Sequence, residues 1–101
     1  MIAIERMTQL IFPGKWAELE AIDKRFNEIE QQMGFPPKKR FQCIIGGLDQ
    51  NTLIIERQWD SLAVLEATYE KAMADPKYQS LINEVGSIVK NSRIELFTPL
   101  P

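Results

Sequence analysis

The sequence predicts a single α+β domain over residues 1–101. Its elements run in the order βαββαβ, forming a four-stranded antiparallel sheet with helices on one face. Three observations predict this class. Hydrophobic periodicity switches from about two to about 3.6 residues and back, twice along the chain. Proline and glycine pairs punctuate each switch. The third observation is that the hairpin of the second and third strands carries apolar residues on both faces, so that a second copy of the chain is expected to cover the side away from the helices.

The first strand is read over Ile2–Phe12 and is stopped by Pro13-Gly14. From Lys15 the period changes: Trp16, Leu19, Ile22, Phe26, Ile29 and Met33 recur at three and four, one stripe of a helix. Glu18, Glu20, Lys24, Asn27, Glu28 and Gln31 fall on its wet side. Gly34 is placed to cap the C-terminus, and Pro36-Pro37 forbid continuation.

Phe41–Ile45 is the second predicted strand, Gly46-Gly47 and Asp49-Gln50-Asn51 its turn, and Thr52–Trp59 the third strand, paired with the second as a hairpin. By strand parity Phe41, Cys43 and Ile45 share one side and Ile44 lies on the other. Likewise Leu53, Ile55, Arg57 and Trp59 share a face, with Ile54 opposite.

Asp60 or Ser61 can cap the next helix, whose stripe is Leu62, Leu65, Tyr69, Ala72 and Met73. Asp75-Pro76 interrupts it, because proline fits the first turn of a helix and not its interior. A further helical stretch carries Tyr78, Leu81, Ile82, Val85 and Ile88, with Gly86 near its end. Asn91–Thr98 is the last strand, with Ile94 and Leu96 on one side and Arg93, Glu95 and Phe97 on the other.

Composition bounds the function. The charged fraction of 26% and hydrophobic fraction of 45% are ordinary for a globular domain. A net charge of −2 gives no footprint for nucleic acid or an anionic membrane. The one basic run, Lys38-Lys39-Arg40, reads as a solvated strand entrance. No signal peptide and no apolar run near the roughly 20 residues of a membrane span are visible, and a single cysteine, Cys43, fits a reducing, cytoplasmic setting. With no histidine in the chain, Ser-His-Asp and Cys-His catalysis, histidine metal sites and histidine haem ligation are excluded. No metal and no cofactor are expected, and no catalytic residue is assigned.

Several short motifs together resemble a known family. Phe12-Pro13-Gly14-Lys15, Trp59-Asp60-Ser61, Asp75-Pro76-x-Tyr78-x-x-Leu81 and Ser92-Arg93-x-Glu95-Leu96 stand in the order seen in NIPSNAP-like proteins of the dimeric α+β barrel superfamily. The resemblance implies a ferredoxin-like fold whose sheets pack face to face in a homodimer. It also implies kinship with antibiotic biosynthesis monooxygenase-like proteins. Many enzymes of that superfamily use a histidine on the second helix; this chain offers Tyr69 and Lys71 there instead.

The resemblance further implies a pocket between helices and sheet, with Arg57, Trp59 and Tyr69 as its ligand-binding residues. On this reading the protein binds or oxidises a small aromatic or polyketide-like molecule without metal or histidine. The alternative is a non-enzymatic homodimeric interaction or structural module. Arg57 could grip a ligand carboxylate or enolate bidentately, or pair with Glu5, Glu56 or Glu95. Arg6 and Arg93 invite the same two readings. Trp59 and Tyr69 could equally be core, Cys43 is expected to be inert mid-strand core, and Tyr78 to anchor the helix that follows Asp75-Pro76.

Overall fold

The computed structural model describes residues 1–101 and contains β1 (Ala3–Ile11), α1 (Trp16–Met33), β2 (Lys38–Gln42), β3 (Thr52–Trp59), α2 (Leu62–Met73), α3 (Pro76–Val85) and β4 (Val89–Phe97). The four strands form one antiparallel sheet in the order β2-β3-β1-β4. This is the ferredoxin-like α+β arrangement that the periodicity predicts.

β1 and β3 are the central strands, and β2 lies at an edge. The second strand also begins earlier and ends sooner than Phe41–Ile45. It takes in Lys38-Lys39-Arg40 and stops at Gln42, so Cys43, Ile44 and Ile45 belong to the following loop. Ile44 and Ile45 are exposed there. The physical reason is pairing: Lys38 faces Arg57 and Lys39 faces Glu56 across the ladder, and Lys38 meets the carboxylates of Asp23 and Glu30 on α1. The last strand likewise starts earlier, at Val89, where a bulge opposite Leu10 and Ile11 accommodates Lys90.

The face of β3 carrying Leu53, Ile55, Arg57 and Trp59 meets the helices. Two apolar clusters lie between the layers. Ile11, Leu19, Ile22, Leu53, Leu81 and Ile88 form one; Ala3, Phe35, Trp59, Leu65, Ala72 and Tyr78 form the other. Burying each large aliphatic side chain contributes about 1.5–3 kcal/mol. Ile88 reaches its cluster from the connection after α3 rather than from the helical stripe.

The opposite face of the sheet is uncovered. On it β3 presents Ile54 among Glu56 and Gln58, and β1 presents Ile4 and Leu10 among Arg6 and Thr8. Phe41 of β2 and Phe97 of β4 share this face, and both are exposed. The surface is therefore mixed, less oily than two fully apolar faces would be, because Ile44 and Ile45 are not part of the strand. The whole molecule is a slab of 38 × 37 × 18 Å.

Local chemistry sets the helix ends. Gly34 takes a left-handed conformation at φ 83°, and its N–H reaches the Gln31 carbonyl while the Phe35 N–H reaches the Glu30 carbonyl at 2.9 Å. This is a Schellman closure, and it drops Phe35 into the core. Ser61 caps α2 by accepting from the Val64 N–H. Asp75 caps α3 by accepting from the N–H groups of Lys77 and Tyr78, with Pro76 in the first turn.

Candidate functional site

A cavity of about 460 Å³ lies between the helix-facing side of the sheet and the three helices. Met7 and Ile55 rise from the sheet, Ile94 comes from β4, and Ile82, Val85 and Val89 close the far side. The cavity exists because no helix is laid over β4, whose Ile94 and Leu96 stay about half exposed although they face the helical layer.

One wall is polar. Glu5, Arg57 and Lys38 are register partners on β1, β3 and β2, so their side chains form a row across the sheet on the helix side. Glu30 of α1 lies over this row and bridges it: one carboxylate oxygen is 2.6 Å from Arg57 Nη2, the other 3.2 Å from Lys38 Nζ. Lys38 also pairs with Asp23 at 2.6 Å. Arg40 extends the chain outward to Glu20 at 2.7 Å. Burial opposes charge on Arg57, yet the fields of Glu30, Tyr69 and Glu5 and the hydrogen bond to Glu30 prevail and push its pKa up.

Glu5 is held from the other side. Trp59 Nε1 donates to one of its oxygens at 3.1 Å, and the Tyr69 hydroxyl donates to the other at 2.6 Å. Desolvation, then the Glu5 carboxylate, raises the Tyr69 pKa far above that of free tyrosine. Burial likewise pushes Tyr78 up to about 12, with the field of Glu30 adding to it. Phe35 knits the aromatic groups together, its ring centroid 5.2 Å from Tyr69 and 5.6 Å from Trp59, and the Arg57 guanidinium lies 5.1 Å from its ring.

The structure brings Arg57, Trp59 and Tyr69 together around Glu5. Arg57 and Tyr69 line the cavity, whereas Trp59 is buried behind them in the core. Arg57 is not free for a bidentate grip on a ligand carboxylate, since Glu30 and, at 3.7 Å, Glu5 already flank it. Glu56 pairs instead with Arg6 at 2.8 Å on the uncovered face, and Glu95 pairs with Arg93 at 3.2 Å. Arg6 and Arg93 therefore lie on the other side of the sheet from the cavity. Cys43 is half-buried in the loop after β2, its thiol 3.4 Å from the Leu48 carbonyl, and not in mid-strand.

Glu30, Asp23 and Phe35 carry the wall and escape a reading by apolar stripe. The signal for the first two is their spacing. Asp23 and Glu30 are seven apart and each follows a stripe residue, Ile22 or Ile29, so both sit at the margin of the buried face. The signal for Phe35 is its place directly after the capping glycine. Nowhere do three Cys, Asp or Glu side chains gather as ligands of a metal ion would.

The sequence matches no protein-family model and no curated protein. Solved structures do match. A NIPSNAP family protein from Agrobacterium tumefaciens superposes with a TM-score of 0.83 at 19% identity, over 99% of this chain and 94% of that one. An uncharacterized NIPSNAP domain protein from Burkholderia xenovorans gives 0.82 at 20% identity, over 97% and 94%. A protein described as an antibiotic biosynthesis monooxygenase gives 0.71 at 14% identity, over 100% of both chains. Identities this low establish the shared ferredoxin-like fold, and fold alone does not assign function.

Proposed function

We propose that this chain is a NIPSNAP-like homodimer that binds a small, planar, largely apolar molecule in the cavity between helices and sheet. The cavity carries the reading. Its volume falls within the roughly 300–1,000 Å³ of small-molecule sites, and its lining is apolar with a few convergent polar groups on one wall. A protein whose fold served only as a scaffold would gain stability by filling that space, since each lost packing contact has a cost.

Two observations support the dimer. The chain exposes 6725 Å², whereas a monomer of 11.7 kDa is expected to expose about 5,900 Å². The excess of about 800 Å² equals one partner's share of a standard interface. The uncovered sheet face, with Ile4, Leu10, Phe41, Ile54 and Phe97, is the surface on which a twofold partner fits.

The monooxygenase among the structural neighbours supports a finer reading, oxidation of an aromatic or polyketide-like ligand without metal or histidine. One observation favours the alternative of a non-enzymatic module: the ionisable groups of the polar wall are tied to one another, and none stands free as a base. Nile red tests the binding reading. Its emission should rise and shift blue on mixing with the protein, and Ile82→Trp at the cavity should abolish the change. Emission that ignores the protein, or that survives Ile82→Trp intact, removes the site. Oxygen uptake with a panel of quinols tests turnover.

A further inference from the structure

We infer that the Tyr78 hydroxyl anchors the ligand of the cavity: it donates a hydrogen bond to an acceptor oxygen on an otherwise apolar ring system, and so favours aryl ketones and quinones over hydrocarbons of the same shape. The inference rests on the ligand-binding reading above and deepens it by naming the contact that orients the ligand.

α3 turns Tyr78, Ile82 and Val85 toward the cavity, at the spacing of one helix face. The Tyr78 ring meets Phe26 edge-on at 5.8 Å and stacks on Phe35 at 6.1 Å, which leaves the residue 5% exposed. Its hydroxyl end lies toward the polar wall, close enough for Glu30, Arg57 and Glu5 to act on it electrostatically. Glu30 and Arg57 line the same cavity.

That hydroxyl is unpaired and open. The Tyr78 backbone N–H goes to the Asp75 cap, and the hydroxyl has no protein partner. The carboxylates near it are taken, Glu5 by Trp59 and Tyr69 and Glu30 by Arg57 and Lys38. The side-chain polar atoms that are both unpartnered and sealed from water are Arg40 Nε and Arg57 Nε. The Tyr78 hydroxyl is therefore not sealed, and the space open to it is the cavity that its residue lines. Other polar side chains of the lining differ: Asp23, Lys38 and Tyr69 are already held, and Asn91 and Ser92 are exposed to outside water. Desolvation and the field of Glu30 keep the proton on Tyr78 well above neutral pH, so the group serves as a donor. A ligand without an acceptor displaces water from this hydroxyl and leaves it bare, whereas a ligand oxygen in its place restores the bond.

Two ligands of matched shape test this, acetonaphthone and isopropenylnaphthalene, substituted at the same ring carbon. Affinities are read by displacement of Nile red at pH 7. Acetonaphthone should bind at least as tightly as isopropenylnaphthalene, although it is the less hydrophobic of the two. In Tyr78→Phe, which keeps the ring and removes the hydroxyl, the ratio of acetonaphthone to isopropenylnaphthalene affinity should fall at least about fivefold. A purely structural role for Tyr78 would shift both affinities together, so an unchanged ratio overturns the inference. Tighter binding of isopropenylnaphthalene to the unaltered protein also overturns it, and that comparison stands even where the variant fails to fold. Failure of both ligands to bind removes the ligand-binding reading itself, and this inference with it.

Discussion

Arg57 of β3 and Glu30 of α1 form a buried ion pair at 2.6 Å, and it fixes the helical layer on the sheet at the edge of the cavity. Both side chains are nearly removed from water. The pair therefore shapes the site as well as holding it, because it neutralises the guanidinium that would otherwise dominate the wall.

Breaking this pair from one side leaves a buried charge. Glu30→Ala should cost about 3–5 kcal/mol of unfolding free energy, and Arg57→Met a similar amount. The double variant should lose less than the sum, with a coupling of about 1–3 kcal/mol in urea unfolding. Strict additivity would show that the two side chains do not act on each other.

The chain has two tyrosines, Tyr69 and Tyr78, and burial raises the pKa of both. A raised folded-state pKa means that the native state keeps its proton where the unfolded chain, near pH 10, releases it. That stability is fully present below pH 10 and is lost as pH rises from about 10 toward 12 and beyond, at about 1.4 kcal/mol per pH unit for each tyrosine. Tyrosinate absorbance should thus appear together with loss of far-ultraviolet circular dichroism, in one step. Ionisation of either tyrosine near pH 10 with the fold intact would contradict the burial of their hydroxyls.

Gly34 should resist replacement for a purely conformational reason. A Cβ there would meet no atom within 4 Å, but the residue sits at φ 83°. Gly34→Ala should cost about 1–2 kcal/mol in thermal or urea unfolding. A neutral outcome would mean that the Schellman closure, and with it the seating of Phe35, tolerates another backbone path.

The uncovered sheet face yields a prediction about mass. Sedimentation equilibrium at micromolar concentration should give twice 11.7 kDa for the protein. Ile54→Asp, at the centre of that face, should give a single chain with helical content unchanged. A monomer before the substitution would leave the face to water.

Most of the fold was legible because burial imposes a period. The α1 stripe, the whole of β3, the Asp75-Pro76 break and the Gly34 cap each follow from a local rule that tertiary packing did not override. The second strand lies at Lys38–Gln42 rather than Phe41–Ile45 because charge pairing there outweighs apolar content. Lys38 and Arg40 look like a wet entrance, yet they enter the helix-facing layer because Asp23, Glu30 and Glu20 wait there. The candidate site was only partly legible for the same reason. Strand parity places Arg57 on the inner face, and the acidic partner that decides its chemistry comes from a helix whose charged margin looks solvated in one dimension.

Location of a bound ligand tests the account most directly. Protein with labelled isoleucine and methionine methyl groups, mixed with acetonaphthone, should give intermolecular nuclear Overhauser contacts to Met7, Ile55, Ile82 and Ile94, which line the cavity. Contacts confined to Ile4 and Ile54 on the uncovered face, or none at any concentration the ligand allows, would contradict it.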